Sequence, residues 1–257
     1  MPYELAVYIC LTKRYAGMSN LLQFSLKAKL FFWFMFVAIS AQAQFRLFKS
    51  IDEIEILAGP ALVSFYGVDY GTDFDYDTKI KVGYSAGFGI GWHLNKRMSI
   101  NVKFLFERKG RDISFKTNYF DEPTEQFKIG EVESFYNLNY LSAPITIEYM
   151  INKKRNFFME GGPYISYLLK AQRVINSLYD GTRTIALIND DLAQVDWGIT
   201  LAIGYSIPIK LVRAINLRLF ATYGLMDISD YPDNISFQKA YNQSIGLSFG
   251  FVKNIIH

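Results

Sequence analysis

Apolar and polar residues alternate with a period of two along unusually long stretches of this chain. The clearest sets Ile80, Val82, Tyr84, Ala86, Phe88, Ile90 and Trp92 against Lys81, Gly83, Ser85, Gly87, Gly89, Gly91 and His93. A second sets Val195, Trp197, Ile199, Leu201, Ile203, Tyr205 and Ile207 against Asp196, Gly198, Thr200, Ala202, Gly204 and Ser206. Ile215 to Tyr223 and Ser244 to Phe251 repeat the pattern. Successive side chains of an extended backbone point to opposite faces, so each stretch predicts a strand with one apolar and one polar face. Weaker runs at about 53–66, 98–115, 133–150 and 156–171 bring the number of predicted strands to eight. In the third of these the alternation slips between Asn137/Asn139 and Thr146/Glu148, which predicts a bulge near Leu141 to Pro144.

The connections fall into two classes that alternate. Asn95 to Arg97, Ile151 to Arg155 and Pro208 to Arg213 are short turns. The segments at about 67–72, 116–132, 172–194 and 227–240 are long, polar and read as loops. Short turns at one end and long loops at the other are the layout of an outer-membrane barrel, in which an even strand number leaves both termini in the periplasm.

The chemistry of the faces separates a membrane barrel from a soluble lipocalin-like one. A soluble ligand-carrying barrel is apolar inside and polar outside. Here one face is Trp, Phe, Tyr, Ile and Leu, while the other is glycine, serine and isolated charges. Small residues leave room in a narrow lumen for a few charged side chains, so the apolar face belongs against lipid. The prediction is all-β: an eight-stranded antiparallel up-and-down transmembrane β-barrel. Aromatic placement agrees. Trp92, Tyr149, Phe157, Tyr205 and Phe251 gather near the turn rim, and Tyr167, Trp197, Tyr223 and Tyr241 near the opposite rim, as two interfacial girdles.

The N-terminus adds export. Ten apolar residues, Leu30 to Ile39, follow Lys27 and Lys29 and precede Ala41-Gln42-Ala43. A positive flank, a short apolar core and a small-x-small site describe a secretory signal, whereas a spanning helix needs about 20 apolar residues. Residues 1–43 are therefore read as a signal peptide, with 1–17 as a stretch ahead of a truer start at Met18, and 44–257 as the barrel domain. Cys10, the single cysteine, lies in the removed part, which excludes disulfide and thiol chemistry from the mature chain. A net charge of +3 with no dense basic cluster of a nucleic-acid footprint argues against nucleic acid as a partner.

Parity places Lys81, Lys103, Glu107, Glu148, Glu160, Lys170, Asp196 and Arg218 in the lumen. Ionic groups in so narrow a space must pair or stay hydrated, which predicts a salt-bridged plug. Asp73, Asp75 and Asp77 have the spacing of a calcium loop start, but Thr78 replaces the needed glycine and Tyr84 the bidentate glutamate, so no metal site is expected. His93 sits beside a short turn and His257 in the tail, which leaves no histidine base at the loop end. No catalytic residue, cofactor or enzyme activity is expected.

Two segments carry a family resemblance: Tyr140-Leu-Ser-Ala-Pro-Ile-Thr-Ile-Glu-Tyr149 and Phe158-Met-Glu-Gly-Gly-Pro-Tyr-Ile-Ser-Tyr167. With the closing strand they resemble the small outer-membrane β-barrel proteins of Bacteroidota, the porin-family or PorT-like group, over roughly residues 45–251. Within the closing strand, Gly246, Phe249 and Phe251 look like the signal read by the barrel-assembly machinery, although six residues follow Phe251. The resemblance implies a Gram-negative host and a place integral to the outer membrane, with membrane lipid and the assembly machinery as partners. It implies little about activity. The expectation is a non-enzymatic barrel whose loops 116–132 and 172–194 bind a surface ligand or protein. The alternatives are a narrow channel for ions or very small solutes, and accessory work in protein secretion.

Overall fold

A computed structural model describes residues 51–67, 76–121, 126–152, 156–178, 181–209, 213–229 and 239–255. The expected signal peptide, Asp73 and Asp75 lie outside them. Ten strands follow in order: β1 (Glu53–Tyr66), β2 (Tyr76–Lys79), β3 (Lys81–His93), β4 (Met98–Asp121) and β5 (Gln126–Met150), then β6 (Phe157–Ser177), β7 (Arg183–Leu187), β8 (Val195–Pro208), β9 (Ala214–Gly224) and β10 (Tyr241–Asn254). Eight of them close a ring in the order β1, β3, β4, β5, β6, β8, β9, β10, and every neighbouring pair is antiparallel. The seam joins first and last strands from Glu53↔Asn254 to Tyr66↔Tyr241. Closure matters because it leaves the ring no unpaired backbone edge.

The two faces divide as the alternation requires. Ile56, Val82, Phe88, Leu201, Ile203, Leu247 and Phe249 are exposed on the outer wall, whereas Lys103, Glu107, Thr146, Glu160, Asp196 and Arg218 are buried inside. Glycine makes the interior possible at one crowded point. Phe158, 1% exposed, lies across the lumen with its ring against Gly204, where an added Cβ would collide with it. Gly204→Val is expected to cost about 1–3 kcal/mol by overpacking. A lowered urea midpoint checks this, and an unchanged one would mean that Phe158 swings clear.

Asparagine locks two of the short turns. Asn95 Oδ1 accepts hydrogen bonds from the backbone N–H of Arg97 at 2.8 Å and of Met98 at 3.0 Å. Asn152 Oδ1 accepts from Asn156 N at 2.9 Å and Phe157 N at 3.2 Å. Such side chains satisfy turn amides that the strands no longer reach.

The opposite end departs from the sequence reading. The ring strands β1, β3, β8, β9 and β10 have 11 to 14 residues, but β4 has 24, β5 has 25 and β6 has 21. Segment 116–132 is therefore not a loop through most of its length: β4 and β5 stay paired from Met98↔Tyr149 to Asp121↔Gln126. Likewise 172–194 holds the end of β6, all of β7 and a single 3-10 turn at Asn189–Asp191. Polar residues on both faces looked like loop, but cross-strand pairing suits a sheet that stands in water on both sides. β4 changes neighbours on the way. It leaves β3 after Tyr84↔Arg108 and takes β2 from Lys79↔Asp112, one residue out of register: five steps from Lys79 to Tyr84 face four from Arg108 to Asp112, so the extra residue is on the β2–β3 side, opposite Gly110 at φ 146.

A second correction concerns the bulge. β5 keeps its parity throughout, with Leu138, Tyr140, Ser142, Thr146 and Glu148 all buried. Pro144, which cannot donate, coincides with a gap in the ladder to β4 but no slip. The extra residue is on β6 instead, at Leu169, between the pairs Tyr140↔Leu168 and Asn139↔Lys170. It turns Leu168 and Ala171 inward together, and it turns Lys170 out to solvent.

Candidate functional site

The lumen is filled in layers. In the layer nearer the turns, Arg218 on β9 donates to Glu55 on β1 through Nη1 at 2.5 Å and Nη2 at 2.9 Å. Its Nε donates to Glu160 Oε2 on β6 at 3.1 Å, and Nη2 lies 3.9 Å from Glu148 on β5. Lys103 on β4 and Thr146 on β5 both bond Glu160 Oε1. The guanidinium also lies 5.1 Å from the centre of the Phe158 ring. One fork thus ties four strands together, which suits arginine's planar set of donors.

The next layer is built on Lys109. Its Nζ is 3.2 Å from Glu107 and 3.6 Å from Asp196, and stands 4.7 Å from the Tyr164 ring centre and 5.2 Å from that of Tyr140. Asp196, 0% exposed, also accepts from Asn242 Nδ2 at 3.0 Å and Tyr164 OH at 3.2 Å. Ser142 bonds Glu107 and lies 2.7 Å from Ser166. Between the layers remains a space of about 50 Å³, bordered by Lys103, Glu107, Ser142, Glu160 and Arg218. That is room for a water or two and not for a solute.

Above these charges the chemistry inverts. Leu138, Tyr140, Leu168, Ala171 and Ile228 form an apolar cap, with Phe65, Ile188, Leu192 and Ala240 packed against it. Asn189 Oδ1 accepts from Ala171 N at 3.0 Å, and Asp227 Oδ1 accepts from Ser229 N and Ala240 N, which pins the covering segments in place.

Of the residues that parity assigned to the lumen, Lys103, Glu107, Glu148, Glu160, Asp196 and Arg218 meet in these two layers. Lys81 is buried farther along, at the hairpin end, where it binds Asp112 at 2.6 Å beside Phe135. Lys170 does not join them, because the bulge at Leu169 breaks the count that began at Glu160. Sequence reasoning missed Glu55, Lys109, Tyr140 and Tyr164. Glu55 was legible, since it alternates with Ile54 and Ile56. On the wall, Phe157 meets Tyr205 edge-on at 4.8 Å, and Tyr66 stacks on Tyr223 at 4.3 Å and on Tyr241 at 4.9 Å. Tyr149, Tyr167, Trp197 and Phe251 are exposed there, while Trp92 is half-buried.

Residues 42–230 match the family model for the outer membrane protein beta-barrel domain. The chain belongs to that family. As a barrel of this family it is integral to the outer membrane, and its exposed apolar belt is the lipid-facing surface. Similar solved structures include Ail, the attachment invasion locus protein of Yersinia pestis, in complex with the heparin analogue sucrose octasulfate. Identity is 11%, the match covers 79% of this chain and 99% of that one, and the TM-score is 0.39. Neisserial surface protein A matches at 10% identity over 77% of this chain and 95% of its own, with a TM-score of 0.38. OprG from Pseudomonas aeruginosa matches at 10% over 80% and 97%, with a TM-score of 0.34. No curated protein matches the chain.

Proposed function

We propose that this barrel is a non-enzymatic surface scaffold: a plugged barrel that raises its β4–β5 hairpin, flanked by β6 and β7, above the outer membrane to bind a partner. Both termini and the short turns then face the periplasm. The observation that carries the reading is the length of β4 and β5. A transmembrane strand needs about 9–11 residues, and β4 runs 13 residues beyond its last pair with β3, from Lys109 to Asp121, roughly 40 Å of strand. A sheet of that size has no role in spanning, and binding residues favour such projections from a rigid frame. The acid–base groups inside face a closed interior, which supports a role without catalysis. Biogenesis would run through the barrel-assembly machinery, with Gly246, Phe249 and Phe251 as its signal.

Two measurements test this. In planar bilayers the purified barrel is expected to be silent, and reproducible current steps would favour the channel reading. Lys116→Cys in a Cys10→Ser background is expected to react with a membrane-impermeant maleimide on intact cells, and labelling only after lysis would reverse the orientation. A photo-reactive residue at Leu187 should then give a discrete adduct in living cells that one at lipid-facing Leu219 does not. Absence of that adduct would remove the binding role. The PorT-like resemblance of 140–149 and 158–167 supports a second reading, accessory work in protein secretion. A normal set of secreted proteins after deletion of the gene would remove it.

A further inference from the structure

Charge is segregated between the two kinds of connection in the sequence. From residue 44 on, the chain has 23 basic and 23 acidic residues. The short turns 95–97, 151–155 and 208–213 nevertheless hold seven basic residues and no acidic one. The segments 67–79, 116–132, 172–194 and 227–240 hold six basic and 14 acidic residues. The short turns are thus strongly basic in a chain that is neutral overall, and a basic cluster attracts a counter-charge.

The turn end is also concave. A basin of about 670 Å³ opens there, lined by Lys96, Arg97, Arg213, His93, Asn156 and Ser206 among others, with no acidic residue among the described residues of its lining. The nearby acids are already engaged: Glu53 with Arg213, and Asp52 with the backbone N–H of His93 at 2.7 Å. His93 stands beside this pair, its Nε2 3.0 Å from Arg213 Nη1 and 3.4 Å from Glu53. Among the described residues Lys96 and Arg97 are exposed and form no ion pair. Exposed Leu94, Ile151 and Ile209 flank the same turns. Cations directly beside an apolar wall sit at the depth where lipid headgroups lie.

We propose that the turn end is a binding site for the phosphate headgroup of an anionic phospholipid, held by Lys96 and Arg97 over the basin. The apolar flank favours lipid over a soluble anion, since only a lipid engages both the cations and the wall. Given the orientation proposed above, the lipid belongs to the periplasmic leaflet.

The test is native mass spectrometry of the detergent-purified barrel, titrated with phosphatidylglycerol and with phosphatidylcholine of the same chains. The wild type is expected to retain phosphatidylglycerol in preference, and Lys96→Gln/Arg97→Gln to reduce that preference by about tenfold or more. Both substitutions are on exposed side chains, and the faster-migrating unboiled band confirms that the variant is folded. Equal retention of the two lipids by the wild type, or an unchanged preference in the variant, overturns the site. Displacement by inorganic phosphate would show a free-anion site and overturn the lipid. Retention is read on purified protein and does not depend on which way the turns face, which the maleimide labelling reports separately.

Discussion

Replacing Arg218 with alanine should destabilise the barrel by about 3–5 kcal/mol, the range for breaking a buried ion pair by removing one partner. Arg218 is 4% exposed and is the cation shared by Glu55 and Glu160, with Glu148 close by. Glu160 would keep Lys103 and Thr146, but Glu55 would keep only the 3.3 Å hydrogen bond from Asn216. The loss should therefore fall on the seam that β1 makes with β10, and a urea midpoint followed by the heat-dependent gel shift would read it. Arg218→Lys should recover only a fraction, because one ammonium cannot reach Glu55 and Glu160 with the same geometry. Pairing Arg218→Met with Glu55→Gln should recover more than either single change implies, since it removes the orphaned charge with its partner. A single alanine variant within about 1 kcal/mol of wild type would show that the cluster is solvated rather than buried.

Lys109→Ala is the second large effect, again about 3–5 kcal/mol. It leaves Glu107 and fully buried Asp196 facing each other with no cation, and it removes the group that stands over Tyr164 and Tyr140. Adding Asp196→Asn to Lys109→Ala should restore much of the stability. The asparagine still accepts from Tyr164 and carries no charge. If the double variant is no more stable than the single, the loss lies in packing around the two rings and not in electrostatics. Neither variant should make the barrel conduct, because the apolar cap of Leu138, Leu168, Ala171 and Ile228 stays in place.

Within the membrane the fold was legible in the sequence because one rule governs it: period two, apolar outward. Lys103, Glu107, Glu148, Glu160, Asp196 and Arg218 follow from that rule alone. Beyond the membrane the rule ends, since water on both sides no longer forces a face. Residues 116–132 therefore read as loop although Lys116–Asp121 pair with Gln126–Glu131 across the β4–β5 hairpin, and Leu138 and Tyr140 read as outward although they cap the lumen. Lys170 failed for a narrower reason. A single inserted residue at Leu169 inverts everything counted past it, and nothing in the composition of β6 marks the insertion. Lys109 was missed for a related one: it sits at the border between the two regimes, one residue before the positive-φ Gly110 at which β4 exchanges β3 for β2.

The joint between β1 and β10 has a consequence for traffic through the wall. Some barrels could in principle unzip a pair of neighbouring strands and let an oily molecule slide sideways between interior and bilayer. Here the line of opening runs beside Glu55, whose carboxylate is clamped by Arg218 from β9. Opening it would pull the Glu55 carboxylate from its guanidinium in full view of hydrocarbon, where Glu55 has no second cation to neutralise it. The charge cluster that fills the lumen is thus also what holds the seam against opening sideways.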